Sequence, residues 1–166
     1  GFYPQKFSNF LKFSAITYQQ ALGSAYSVTS LTLDFRQYIP TWLGQVFAWQ
    51  VYCDMRLGKE VPFQMLPTIG GSDQIRGFRE RKYTDNTMFM VQAEYRIPIY
   101  ARLKAAVFCS VGDVFDVYNP AIHKLKVGYG AGLRFRLNDA RVHLRLDVAG
   151  NNDGEVKFYI TATEAF

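Results

Sequence analysis

From Leu125 to Leu137 the chain alternates without a break. Leu125, Val127, Tyr129, Ala131, Leu133, Phe135 and Leu137 form one apolar face, against Lys126, Gly128, Gly130, Gly132, Arg134 and Arg136. Successive side chains of an extended strand point to opposite faces, so this is a two-faced strand and not a helix. It is longer than the usual strand of about five or six residues. Val142 to Val148 repeats the pattern, with Val142, Leu144, Leu146 and Val148 against Arg141, His143, Arg145 and Asp147. Leu43 to Met55 does so too, with Gln45 and Val46 out of phase.

About eight such segments run along the chain, over roughly 7–20, 25–39, 43–57, 87–99, 102–114, 124–137, 141–149 and 155–165. The connections around residues 39–42, 99–101 and 138–140 are short. Those over 20–24, 58–86 and 116–123 are longer, and Asn151-Asn152-Asp153-Gly154 ends in Asp-Gly, a hairpin dipeptide. Short turns at one end and longer loops at the other describe an antiparallel up-and-down barrel. The connection over about 58–86 is far too long for a hairpin, and loops of that size carry function or are disordered. Residues 1–166 read as a single domain.

The two faces place this barrel in a membrane. One face collects Asp34, Arg36, Asp54, Arg56, Glu94, Arg96, Arg102, Lys104, Arg134, Arg136, Arg141, His143, Arg145 and Asp147. The other is almost without charge. Phe47, Trp49, Tyr129 and Phe135 are too bulky and too regular to fill the tight interior of an eight-stranded barrel. The apolar face is therefore expected outside, against lipid, with the charges in the lumen. The 11 Tyr and 14 Phe suit both strands and interfacial girdles. Buried charges persist when paired, so Asp34, Asp54, Glu94 and Asp147 are the expected partners of the lumen arginines. No run of about eighteen apolar residues occurs, so no transmembrane helix is encoded. The start, Gly1-Phe2-Tyr3-Pro4, has no charged n-region or apolar signal core. The chain is read either as having lost a signal peptide or as a segment of a longer protein.

Several landmarks follow one another in order. They are Gly70 to Phe78, ending in Ile75-Arg76-Gly77-Phe78; Gln92 to Ile99, with Ala93-Glu94-Tyr95-Arg96; Gly130 to Phe135, a Gly-x-Gly-Leu-Arg-Phe; Arg145-Leu146-Asp147; and a terminal Phe166. The set resembles the C-terminal barrel half of the outer-membrane assembly family. This is the D15-like bacterial surface antigen group of BamA- and TamA-type proteins and two-partner secretion transporters. The resemblance runs from about Ser24 to Phe166.

The resemblance implies a bacterial outer-membrane location, with both termini periplasmic, and a part in inserting or exporting outer-membrane proteins. The partners it implies are outer-membrane lipid, unfolded β-barrel clients and other assembly subunits. A weak strand seam and local bilayer thinning would lower the client's barrier. The client-binding domains that usually precede such barrels are expected to be absent here. A purely structural barrel, serving as anchor or subunit, and a small pore remain alternatives. Arg76 is implied to fold back into the barrel and meet Glu94 on the strand after the loop. A second acid is implied within a Phe-x-Asp pattern on the following strand. Here that stretch reads Phe108-Cys109-Ser110, so Ser110 stands where an aspartate is expected and is implied to give Arg76 a neutral acceptor beside the one charged partner, while Asp113 has the opposite parity. Gly128, Gly130 and Gly132 leave room for an inserted loop, or simply let the strand bend. Phe166 resembles a C-terminal sorting signal, with Phe158 and Ile160 on its face and Glu164 out of pattern.

Other chemistries find little support. His123 and His143 have no serine or cysteine partner in a recognisable motif, so no catalytic residue is expected. Cys53 and Cys109 fit no metal or redox spacing, and neither metal nor cofactor is expected. The net charge is +5, but the basic cluster at Arg76, Arg79, Arg81 and Lys82 has no nucleic-acid motif beside it.

Overall fold

The computed structural model describes residues 7–19, 23, 26–58, 61–100, 102–119, 125–136 and 142–164. Eight long strands form one sheet in the order β1-β2-β3-β6-β7-β8-β9-β10. They are β1 (Ser8–Tyr18), β2 (Val28–Pro40), β3 (Val46–Leu57), β6 (Thr87–Tyr100), β7 (Leu103–Phe115), β8 (Lys126–Arg136), β9 (Val142–Asn151) and β10 (Val156–Glu164). Each pairs antiparallel with the next long strand in the chain. This is the up-and-down order that the alternation and short turns require. Strand lengths of 9 to 14 residues match the ten or so needed to cross a bilayer at a tilt.

Between β3 and β6 the chain leaves the sheet. Two short strands, β4 (Thr68–Ile69) and β5 (Tyr83–Thr84), pair inside this excursion. The alternation does not reveal them, because two residues are too few to establish a period. They give the loop a base, so that residues 70–82 return on themselves as a compact unit.

Burial separates the two faces. Arg134 is 6% exposed and its neighbour Leu133 is 41% exposed. Asp34, Asp54 and Asp147 are buried, while Val107, Tyr129, Phe135, Leu146, Val148, Phe158 and Ile160 are exposed. A sheet with charge inside and a continuous apolar exterior is inverted relative to a water-soluble barrel, and the hydrocarbon core is the medium that suits it. Toward the loop end the inner face changes character. Met88, Met90 and Val114 are buried there and pack with Ile69, Ile75 and Phe78 of the loop, flanked by Tyr52 and Tyr83. The hydrophobic core is thus a plug, formed where the excursion meets the concave side of the sheet.

Leu133→Arg places a cation on the lipid-facing side and is expected to cost about 2–4 kcal/mol near the bilayer midplane. Arg134→Leu leaves the exterior unchanged and acts through the lumen ion pairs. Urea unfolding in lipid vesicles checks this: a Leu133→Arg protein as stable as its parent overturns the assignment of faces.

Candidate functional site

The site begins with the excursion from β3. Its core contacts, Ile75 and Phe78, flank Arg76 and Gly77 in sequence. Burying these two apolar side chains carries the arginine between them into the lumen. Arg76 ends 4% exposed.

A charge so far from water needs compensation, and it receives two carboxylates. Arg76 Nη2 donates to Glu94 Oε2 at 2.8 Å, and Nη1 donates to Asp147 Oδ2 at 3.0 Å. Glu94 stands on β6 and Asp147 on β9, so a single guanidinium bridges strands at opposite sides of the β7–β8 pair. Arg134 on β8 makes a second bridge between the same acids. Its Nη2 lies 3.4 Å from Glu94 Oε2, and its Nη1 donates to Asp147 Oδ1. Arg76, Glu94, Arg134 and Asp147 therefore form a ring of alternating sign. Arg96 Nε adds a bond to Glu94 at 2.7 Å, and Arg145 Nε adds one to Asp147 at 2.7 Å.

The register explains why Asp147 is needed. Arg134 lies directly opposite Arg145, a like-charge pair that is unfavourable by itself. Asp147 accepts from both guanidinium groups and turns the repulsion into a shared salt bridge. Opposite Asp147 is Gly132, where a Cβ would collide with the Asp147 carboxylate and come within 2.8 Å of Arg134 Nη1. At Gly128 a Cβ would run into the Arg76 carbonyl and lie 3.1 Å from Ile75 Cγ2. The room these glycines leave is taken by the ion cluster and by the loop. A Cβ at Gly130 would meet the Phe108 ring at 2.7 Å.

Phe108, on β7 beneath the cluster, completes the arginine's surroundings. The Arg76 guanidinium carbon lies 3.4 Å from the ring centroid, a stacked cation–π contact. Arg76 Nε is buried and has no hydrogen-bond partner among the described residues.

Of the residues singled out from sequence, Ile75, Arg76, Gly77, Phe78 and Glu94 come together here. Ser110 differs from expectation. It is buried on the inner face, but its hydroxyl donates to the Gly128 carbonyl at 3.3 Å, and the second acceptor for Arg76 is Asp147. A serine side chain is short and neutral, whereas Asp147 brings a full charge two strands away. Asp113 is taken by Lys126, whose Nζ lies 2.6 Å from Oδ1. Phe166 and His123 lie outside the described residues, as does the side chain of His143. Among the described residues no cluster of histidine, cysteine and acid side chains could hold a metal ion. The sequence reading placed Asp147 in the lumen but did not pair it with Arg76, because strand order alone does not say which of four inner acids the loop will reach. The apolar inner face at Met88 and Met90 could have been read from the sequence. Flanking Phe89, they make the start of β6 apolar on both sides, as a strand covered by a plug must be.

Outside the lumen, Lys82 holds the β9–β10 turn. Its Nζ lies 3.1 Å from Asp153 Oδ2 and 3.2 Å from Glu155 Oε1, and the Tyr83 hydroxyl donates to Asp153 at 3.0 Å. The bond to Asp153 raises Lys82, and the bond from Lys82 lowers Glu155, relative to their ordinary values.

The Omp85 superfamily domain model matches residues 6–166. No curated protein matches the chain.

If the lumen cluster is one unit, removing either partner of a buried pair costs about 3–5 kcal/mol. Arg76→Ala and Glu94→Gln are each expected in that range, and the double variant should cost less than their sum. Unfolding in vesicles measures all three, and strict additivity would mean that the two residues are not coupled. The surface contact has a defined pH window. A carboxylate lowered in the folded state stabilises above its unfolded pKa and loses this as pH falls through the folded value. A lysine raised in the folded state stabilises below its unfolded pKa and loses this as pH rises through the folded value. The contact between Lys82 and Glu155 therefore acts between the carboxylate and lysine ranges. An NMR titration should find Glu155 below the ordinary carboxylate range in the parent and raised in Lys82→Ala, where the Asn151 bond to Glu155 remains.

Proposed function

We propose, from the premise that this chain belongs to the Omp85 superfamily, that it is a membrane-embedded part of the machinery that inserts or exports β-rich chains at the bacterial outer membrane. The superfamily is one of outer-membrane protein insertion and export. The observation that carries the reading is the burial of Arg76 between Glu94 and Asp147. A barrel serving only as an anchor has no need to draw a surface loop into its lumen and hold it there by a desolvated ion cluster. A device that must open and close has that need, because such a cluster has two definite states, formed and broken. The role is physical and involves no covalent chemistry. The partners are the lipid around the apolar exterior, unfolded barrel clients, and other subunits of the assembly machinery.

Orientation follows from the connections. The C-terminal ends of β1, β3, β7 and β9 lie at one end of the sheet, and those of β2, β6 and β8 at the other. Longer loops face the outside in barrels of this kind, which supports a periplasmic position for the start of β1 and the end of β10.

A small pore is a second reading, favoured by one feature. A cavity of about 560 Å³ lies between the inner face of β1–β3 and the loop, lined in part by Lys12, Thr32, Tyr52, Asp54, Arg56 and Arg81.

Reconstitution separates the readings. Vesicles carrying the protein are expected to fold an added unfolded barrel client faster than empty vesicles, and Arg76→Ala to lose much of the gain. Conductance without client folding supports the pore. Neither activity leaves an anchor or subunit.

A further inference from the structure

The loop does more than fill the lumen. Its apolar residues pack on β6 and β7, but most of its hydrogen bonds to the sheet fall on the β9–β10 hairpin. β10 is the last strand of the order, and its ladder runs along β9. Among the described residues it is also bonded to the loop, through Tyr159.

Tyr159 lies directly opposite Asp147 in the β9–β10 register and shares its inner face. Its hydroxyl accepts from the Gly77 N–H at 3.0 Å and donates to the Phe78 carbonyl at 3.1 Å. One hydroxyl thereby satisfies a donor and an acceptor of the loop backbone at once. Asn151 Nδ2 donates to the Gly77 carbonyl at 2.9 Å, and Asn151 Oδ1 accepts from the N–H groups of Asp153 and Glu155 at 2.9 Å. Gly77 has φ of +105°, and a Cβ there would lie 2.6 Å from the Gly150 carbonyl oxygen. Only glycine lets the loop backbone approach β9 so closely. Consecutive loop residues thus bind consecutive strands: Arg76 holds β9 through Asp147, while Gly77 and Phe78 hold β10 through Tyr159.

We infer that Tyr159 is a positioning residue that couples the Arg76 ion cluster to the terminal strand, so that loosening the cluster frees β10 ahead of the rest of the sheet. The physical reason lies in the lengths of the connections. The guanidinium and the Gly77 peptide are one residue apart. The Arg76 guanidinium is held by Glu94, Asp147 and the Phe108 ring while the Arg76 carbonyl is wedged against Gly128, so a shift of the docked side chain strains the Arg76–Gly77 peptide whose N–H Tyr159 binds. Strands β7 and β8 each have sheet neighbours on both sides and keep their ladders when the loop shifts. β10 stands at the end of the order, has a ladder to β9 among the described residues, and loses the Tyr159 bonds. This deepens the proposed function and rests on it in one respect, that a terminal strand able to come free is where a client strand would pair.

The test is hydrogen exchange of the full chain in detergent micelles, read by mass spectrometry over β10 and, for comparison, over β8. Tyr159→Phe removes only the hydroxyl. Losing its two hydrogen bonds is expected to speed exchange in β10 about ten-fold, with β8 little changed. Glu94→Gln is the decisive variant, because Glu94 stands on β6, far from β10 in the order. It is expected to speed exchange in β10 in the parent and to add little in the Tyr159→Phe background. β10 exchange indifferent to Glu94→Gln, or raised by the same factor in both backgrounds, overturns the coupling. Should Tyr159→Phe fail to fold, Glu94→Gln alone still decides. Exchange needs no client, so a protein that inserts nothing yet shows the coupling refutes the insertion reading and leaves this one standing.

Discussion

The structure depends on placing one guanidinium where water cannot reach it. Arg76 in the lumen is tolerable because Glu94 and Asp147 accept from it and the Phe108 ring covers its face. Those acids are in turn tolerable because Arg96, Arg134 and Arg145 surround them. No member of this cluster could be buried alone, since a desolvated charge without a partner costs several kcal/mol. The cluster therefore forms as a unit, and the loop comes with it.

From that interdependence follow features that look unrelated. Glycines at 128 and 132 are required because the loop backbone and the Asp147 carboxylate occupy the space a side chain would take. Apolar residues appear on the inner face at Met88, Met90 and Val114 because Ile75 and Phe78 must be covered beside the arginine. The exposed apolar exterior is the counterpart of this interior. With charges and loop packed inside, the large hydrophobic side chains face outward, and lipid is the environment in which they cost nothing.

The same geometry bears on function. Breaking one member of such a cluster leaves the others uncompensated, so its members hold the loop together. The docked loop touches β6 and β9 through charge, β7 through the Phe108 ring, β8 through close packing at Gly128 and β10 through Tyr159, so its state is felt across much of the sheet. By contrast, the inner side of β1–β3 meets the loop across a polar cavity and is less engaged by it. The molecule thus has a braced side and an open side, an asymmetry that the proposed function would use.

The alternation by itself determined the architecture. Period two fixes which residues share a face, and unbroken apolar and charged rows such as those of Leu125 to Leu137 leave few alternatives to a long strand with unlike sides. The expected segments overlap all eight long strands, with differences at their ends where turns compete for the backbone. The ordered landmarks around Arg76 and Glu94 pointed to the family and to one of the two acids. What only the tertiary structure decided is who meets whom inside. Parity put Asp34, Asp54, Glu94 and Asp147 on the charged face alike, and nothing local marks Asp147 as the acid opposite the loop. That choice depends on the register of β8 against β9 and on the path of residues 70–82, and both are set by packing among elements far apart in the chain. Tyr159 was hidden for the same reason. A tyrosine in an alternating strand is ordinary, and its role exists only because the fold brings the Gly77 peptide within reach of its hydroxyl.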